Sequence, residues 1–300
     1  MIKFWIVGKK IYRVNYWREL HRFLVFVIRA YLHYPSMKKL WNFLQEDAIR
    51  SRSWQVNPFA IEQLTRNFFY KDSTVAERGQ LIREHIEFMQ KKLTAEWAEK
   101  LFTYQSYEIW RSLDKDIDWV AILKFEPGQR KEGMLSIEMN LNKREHLYQM
   151  IFWFAKNKAG EYSLWIGAMQ GPNMANAKNV VKDITKRSHR YRTKNLILYM
   201  TQAVARGVGV KHIYAVSNEG YYANNHVRRD RKLKTDFGAF WEEAGGHMTD
   251  DERFYELPLV EYRMTMEEVP TRKRAVYRKR FAFQDDVDAQ IAAHLEKIIN

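Results

Sequence analysis

Cations gathered around a single histidine are the residues of this chain best placed to do chemistry. Lys186, Arg187, Arg190, Arg192 and Lys194 lie within a few positions of His189, and Arg228, Arg229, Arg231, Lys232 and Lys234 form a second cluster. Arg272, Lys273, Arg274, Arg278, Lys279 and Arg280 form a third. Adjacent like charges repel, so such density gains stability only where an anion or acidic side chains neutralise it. Cations close in space disfavour imidazolium, which would keep His189 neutral near pH 7 and able to act as a general base. A satisfied structural histidine is the competing interpretation. The candidate catalytic residues are therefore His189 and Asp236. The candidate anion-binding residues are Lys186, Arg190, Arg192, Lys194, Asn218, Arg228 and Arg229. Asp236 equally fits a helix N-cap and Asn218 an ordinary turn. Phe237, Phe240 and Trp241 stand beside these charges at a spacing that suits a buried helix face better than a stacking platform.

The whole composition agrees with an anionic partner. Fifty Lys and Arg against 36 Asp and Glu leave a formal charge of +14 over 300 residues, enough to set a positive surface field. Anionic lipid, a lipopolysaccharide precursor, coenzyme A and nucleic acid all carry the phosphates it would attract. Nucleic acid ranks behind the others because no base-reading motif accompanies the charge. The chain has no cysteine, which removes disulfides and thiolate metal sites. No HExxH, GxSxG, Walker loop or GxGxxG occurs, so metalloprotease, α/β-hydrolase, P-loop and dinucleotide chemistries lack their signatures.

The elements that must position these residues fall in two regions. Residues 1–115 are mainly helical and residues 116–300 alternate strands with helices, which predicts an α/β (α+β) protein with a mixed sheet flanked by helices. In the first region Trp17, Leu20, Leu24, Val27, Ile28 and Tyr31 recur at helical spacing, with Arg18, Arg22 and Arg29 around them. This basic amphipathic helix suits either a core face or the headgroup layer of an anionic membrane. Thr74 and Glu77 form a capping-box pattern, after which Ile82, Ile86, Met89, Leu93, Trp97 and Leu101 trace one face of a long helix. Strands are expected over 119–125, 134–140, 148–155 and 162–169 as a meander. A helix over 193–206, a strand over 213–217, a helix over 236–244 and a strand over 253–257 follow. No apolar run exceeds the six residues of Phe23–Ile28, whereas a spanning helix needs about 20. A cytoplasmic protein, peripheral at the inner membrane, is the resulting expectation.

Gly171-Pro172, ITKRSHRYRTK (Ile184–Lys194), HIYAVSN (His212–Asn218), RRDRKLKTDFGAFWEEAGG (Arg228–Gly246) and RKRAVYRKR (Arg272–Arg280), in that order, resemble the VirK/YbjX family of bacterial proteins. The resemblance covers roughly residues 165–285 and implies a virulence-associated role connected with the Gram-negative envelope, with no assigned reaction or catalytic residues. The order of elements is also similar to that of the GNAT acyltransferases, in which a meander feeds a helix whose N-terminus binds coenzyme A pyrophosphate. That similarity implies an acyl-type transferase acting on an envelope component. Arg192 to Lys194 would then meet the phosphates of an acyl-coenzyme A or another phosphate-bearing donor. The chain departs from the GNAT pattern in lacking the glycine-rich pyrophosphate loop and in the 20 or so residues before that helix. A non-catalytic membrane-peripheral factor, supporting envelope integrity or the localisation of surface proteins, is the alternative.

Overall fold

The computed structural model describes residues 2–125, 127–142, 145–224 and 236–300. The chain opens with helices α1 (Phe4–Ile11), α2 (Trp17–Leu32), α3 (Tyr34–Gln45), α4 (Ala48–Val56), α5 (Phe59–Thr65), α6 (Val75–Lys92) and α7 (Ala95–Phe102). Strands β1 (Tyr107–Arg111), β2 (Trp119–Lys124), β3 (Leu135–Leu141), β4 (Glu145–Lys156) and β5 (Tyr162–Gln170) then form an antiparallel meander. After α8 (Ala177–Arg187) and α9 (Thr193–Gly207), strand β6 (Ile213–Val216) returns parallel to β5. Helix α10 (Phe237–Glu243), the short β7 (His247–Met248), β8 (Phe254–Leu257) and the long α11 (Arg274–Glu296) complete the chain. The mixed sheet runs β1-β2-β3-β4-β5-β6-β8-β7. The expected order of helices, meander, helix, strand, helix, strand is present.

Four elements differ from the sequence expectation, each for a local reason. Strand β1 lies in a stretch expected to be helical, because a bulge between Glu108 and Trp110 breaks its alternation and leaves the adjacent Ile109 and Trp110 both buried. The long helix expected through Leu101 stops at Lys92. Leu93 pairs with Ile299, and the Thr94 side chain caps the new helix α7 by accepting from the Trp97 amide. Helix α8 buries only Ile184, so its apolar signal is faint. In α11 the buried positions Gln284, Val287, Ile291 and Leu295 fall at helical spacing after a basic first half. The capping box on α6 is made in both directions, Glu77 amide to Thr74 Oγ1 at 3.2 Å and Thr74 amide to Glu77 Oε2 at 2.7 Å.

Helix α2 resolves the open question about its face. It buries Phe26 and Ala30, with Phe23 seated on Gly8 of α1, and turns four of the six predicted stripe residues outward, while Val27 packs against the core. Trp17, Leu24, Ile28 and Tyr31 are 81%, 49%, 59% and 42% exposed. None of the described helices is long and apolar enough to cross a membrane.

Helix α6 finishes the sheet where β3 stops. Beyond Phe152, the last β4 residue paired to β3, the outward amides of Phe154 and Lys156 donate to His85 Nδ1 at 3.1 Å and Glu84 Oε2 at 2.9 Å. An exposed strand edge is thereby satisfied by side chains. His85 is fully buried, and burial pushes it down to about 3; it is a neutral acceptor at physiological pH.

Candidate functional site

The parallel pair β5 and β6 is joined for only three residues, Leu164 with Ile213, Trp165 with Tyr214 and Ile166 with Ala215. β5 then runs on to Gln170 on its β4 side, while β6 ends at Val216 and turns through Ser217 and Asn218. The two strands part at Gly167. A side chain at Gly167 would collide with the carbonyl oxygen of Glu132, so glycine is required by that close approach rather than by backbone torsion. Separating carboxyl ends of adjacent strands are where open α/β sheets place ligands.

Glu132 is held there by the N-terminal half of the chain. Its segment is tied down by the Gln63 side chain, which donates to Arg130 O at 2.7 Å and Gly133 O at 3.0 Å, and by the Phe69 amide donating to Lys131 O. Tyr221, paired by its backbone with Tyr70, donates from its hydroxyl to Glu132 Oε1 at 3.2 Å. The other carboxylate oxygen, Oε2, is buried with no hydrogen-bond partner among the described residues. Burial pushes this carboxyl up to about 7, against the opposite pull of Lys131 and of the Tyr221 and Tyr222 hydroxyls. A carboxyl that titrates near neutrality is matched to general-base work, and perturbed groups of this kind concentrate at functional sites. No feature of the sequence had singled out Glu132.

Four of the predicted residues lie at the two ends of α10. Arg192 is the N-cap of α9, and its side chain makes no capping hydrogen bond to that helix. Arg192 pairs with Glu243 of α10, and Lys194 Nζ lies 3.2 Å from the same carboxylate and 4.5 Å from the Phe240 ring centre. One carboxylate facing two cations leaves a net positive charge at the start of α9. Asn218 and Asp236 meet at the other end of α10, 2.7 Å apart. Asn218 Oδ1 also accepts from the Phe237 amide at 2.8 Å, and Asp236 Oδ1 from the Ala239 amide at 3.1 Å. The Asn218 amide and then the Ala239 amide hold Asp236 below the usual carboxylate range. Its carboxylate is therefore committed to capping α10. The Phe237 ring, 5.7 Å from Tyr221, connects this cap to Glu132. Phe237, Phe240 and Trp241 are core residues.

The remaining described candidates sit elsewhere. His189 and Arg190 form a left-handed corner between α8 and α9, with φ of 53° and 63°. Arg280 of α11 holds that corner by donating to both carbonyl oxygens, at 3.3 and 3.0 Å. His189 is lowered first by burial and then by Lys279 and Arg280, the direction the surrounding cations imply. It lines a cavity of about 460 Å³ with Asp114, Trp119, Phe283 and Asp286, whose walls include neither Asn218 nor Asp236. Lys186 and Arg190 are exposed. Arg228 and Arg229 lie outside the described residues. Among the described residues no group of His, Asp and Glu is arranged to hold a metal ion.

Residues 15–293 match the family described as "Protein of unknown function (DUF535)", and the chain belongs to that family. The expected relationship to YbjX is present: the chain is 31% identical to the uncharacterized protein YbjX of Escherichia coli over 164 residues. That alignment covers 54% of this chain and 49% of YbjX. An uncharacterized protein of Haemophilus influenzae is 25% identical over 87% of this chain and 84% of its own. A protein of Mannheimia haemolytica named membrane protein LapB is 22% identical over 63% of this chain and 80% of its own. No solved structure matches the chain.

Proposed function

We propose that this protein is an acyl-type transferase acting on an envelope component at the inner membrane face, with its donor seated where β5 and β6 part. The observation that carries the reading is the strand separation itself, together with the buried Glu132 packed against Gly167 where the strands part. The order β5-β6-β8-β7, with one parallel pair and α9 crossing between its members, is similar to the GNAT arrangement. In that arrangement the donor's phosphates meet the helix that leads into the second parallel strand. Here the first turn of α9, which the Arg192 side chain does not cap, and the excess charge of Arg192 and Lys194 suit a phosphate-bearing donor such as acyl-coenzyme A. The tight corner at His189 and Arg190 stands in place of a glycine-rich loop, so side-chain charge would carry more of the phosphate contact. Glu132, ionised just above neutrality, would take the proton from an acceptor nucleophile, and Tyr221 would orient its carboxylate. His189 is the alternative base, and it lies at the α8–α9 corner instead.

Membrane placement rests on a separate observation. Trp5, Ile6, Tyr16, Trp17, Leu24, Ile28, Tyr31 and Leu32 are all exposed on α1, α2 and their connection. Lys3, Lys9, Lys10, Arg13 and Arg18 lie in the same stretch. Exposed aromatic and aliphatic side chains interleaved with cations suit the headgroup layer of an anionic bilayer. This surface alone also supports the non-catalytic reading, a peripheral factor for envelope integrity. Calorimetric titration with coenzyme A separates the two. The transferase reading predicts saturable binding that Arg192→Glu weakens at least about tenfold and Arg274→Glu leaves nearly unchanged. Absence of binding, or equal small losses at both positions, would favour the non-catalytic factor.

A further inference from the structure

A second concave site lies on the sheet face that also carries Tyr70, and its chemistry opposes that of the chain as a whole. A cleft of about 650 Å³ opens between α6, the β4–β5 turn, and the strands β5, β6 and β8. Volumes of this size suit a small organic ligand. Its floor follows the sheet register: Trp153 is paired with Trp165, Trp165 with Tyr214, and Tyr214 with Glu256. The rings stack, with centroids 6.3 Å apart at 9° for the two tryptophans and 4.4 Å apart at 27° for Trp165 and Tyr214. Trp153 is buried, whereas Trp165 and Tyr214 remain partly open to the cleft.

The rim is acidic. Six carboxylates line the cleft against Lys156, Lys158 and Arg253. Arg253 is spent on Asp251, bonded to both its oxygens at 2.9 and 2.7 Å. At the far end His212 lies between two of the carboxylates, with Nδ1 2.7 Å from Glu256 and Nε2 3.2 Å from Glu161. Asp250 is exposed and lines the same cleft from the turn between β7 and β8. In a chain of net charge +14, a concave surface with more carboxylates than cations works against the prevailing field. Its combination of an aromatic floor and a carboxylate rim selects for a cation that carries an apolar body.

We propose that this cleft binds an organic diamine, with one ammonium group held by Glu161 and Glu256, the other by Asp250, and its carbon skeleton laid along Trp165 and Tyr214. The site stands apart from the transferase reading, because binding needs neither a donor nor Glu132. Its test is calorimetry at low salt with three probes of equal chain length: 1,8-diaminooctane, the neutral 1,8-octanediol and the dianion suberate. The diamine should bind saturably at one site, at least about tenfold more tightly than the diol, with suberate not binding. The doubly substituted Glu161→Gln, Asp250→Asn protein should lose about tenfold or more for the diamine and keep its melting temperature, since both side chains are exposed. Trp165→Leu should weaken diamine and diol alike. Failure of the diamine to bind, equal affinity for diol and diamine, or an unchanged affinity in the double variant would overturn the proposal.

Discussion

Replacing Glu132 by glutamine should stabilise the protein above neutral pH and leave it unchanged in acid. The carboxyl is raised from an ordinary 4.5 to about 7, chiefly by burial. A group whose folded pKa lies above its unfolded value imposes no cost below about 4.5. The cost grows as pH rises to about 7 and is constant beyond. A shift of this size corresponds to about 3 kcal/mol at pH 8. Glutamine removes the charge while keeping an oxygen to accept from Tyr221, 3.2 Å away in the parent. For a chain of 300 residues, 3 kcal/mol corresponds to a rise in melting temperature of about 5 °C. Calorimetric melting at pH 4.5 and pH 8 measures both values. A variant that melts lower than the parent at pH 8, or that gains equally at both pH values, would refute the burial argument. A residue that costs stability when ionised and is nevertheless glutamate is what a working base requires.

Three further outcomes follow from the same geometry. His85 is neutral because burial depresses it to about 3, so its share of stability is intact above about pH 6.5 and falls by about 1.4 kcal/mol per pH unit below that. His85→Gln, which keeps an acceptor for the Phe154 amide, should flatten that acid limb in a pH series of denaturant melts. Glu243→Gln releases Arg192 and Lys194 from their shared carboxylate, so it should tighten coenzyme A binding several-fold in calorimetry; weaker binding would count against an anion site at the start of α9. Substituting Trp17, Leu24 and Ile28 together by serine should leave melting unchanged, because all three are exposed, yet abolish flotation with anionic vesicles. Flotation of the parent should also weaken with salt.

The sequence carried the fold further than the site. Thr74 and Glu77 marked the start of α6, and the alternating stretch Leu135–Leu141 marked a strand, because capping and register are local physics. β4 was recognised from its apolar content alone, since it is buried on both faces and has no alternation to display. Periodicity also identified the stripe on α2, but it could not say which way the stripe faces. That was settled by Phe23 and Phe26 taking the side toward α1. Charge density drew attention to His189, whereas the buried carboxyl belongs to Glu132, whose neighbours in sequence reveal nothing. Its environment is assembled from Gln63, Phe69, Gly167 and Tyr221, residues brought together only by the tertiary fold.

The most direct test of the transferase account is thiol release from acyl-coenzyme A in the presence of a solubilised bacterial envelope extract as acceptor. The protein has no cysteine, so it adds no thiol of its own, and the extract alone sets the background. The account predicts release that requires both protein and extract and that Glu132→Gln slows by about 10²–10⁴ while coenzyme A binding is retained. Release no faster than with extract alone across short and long acyl donors, or an equal rate in the Glu132→Gln protein, would contradict it.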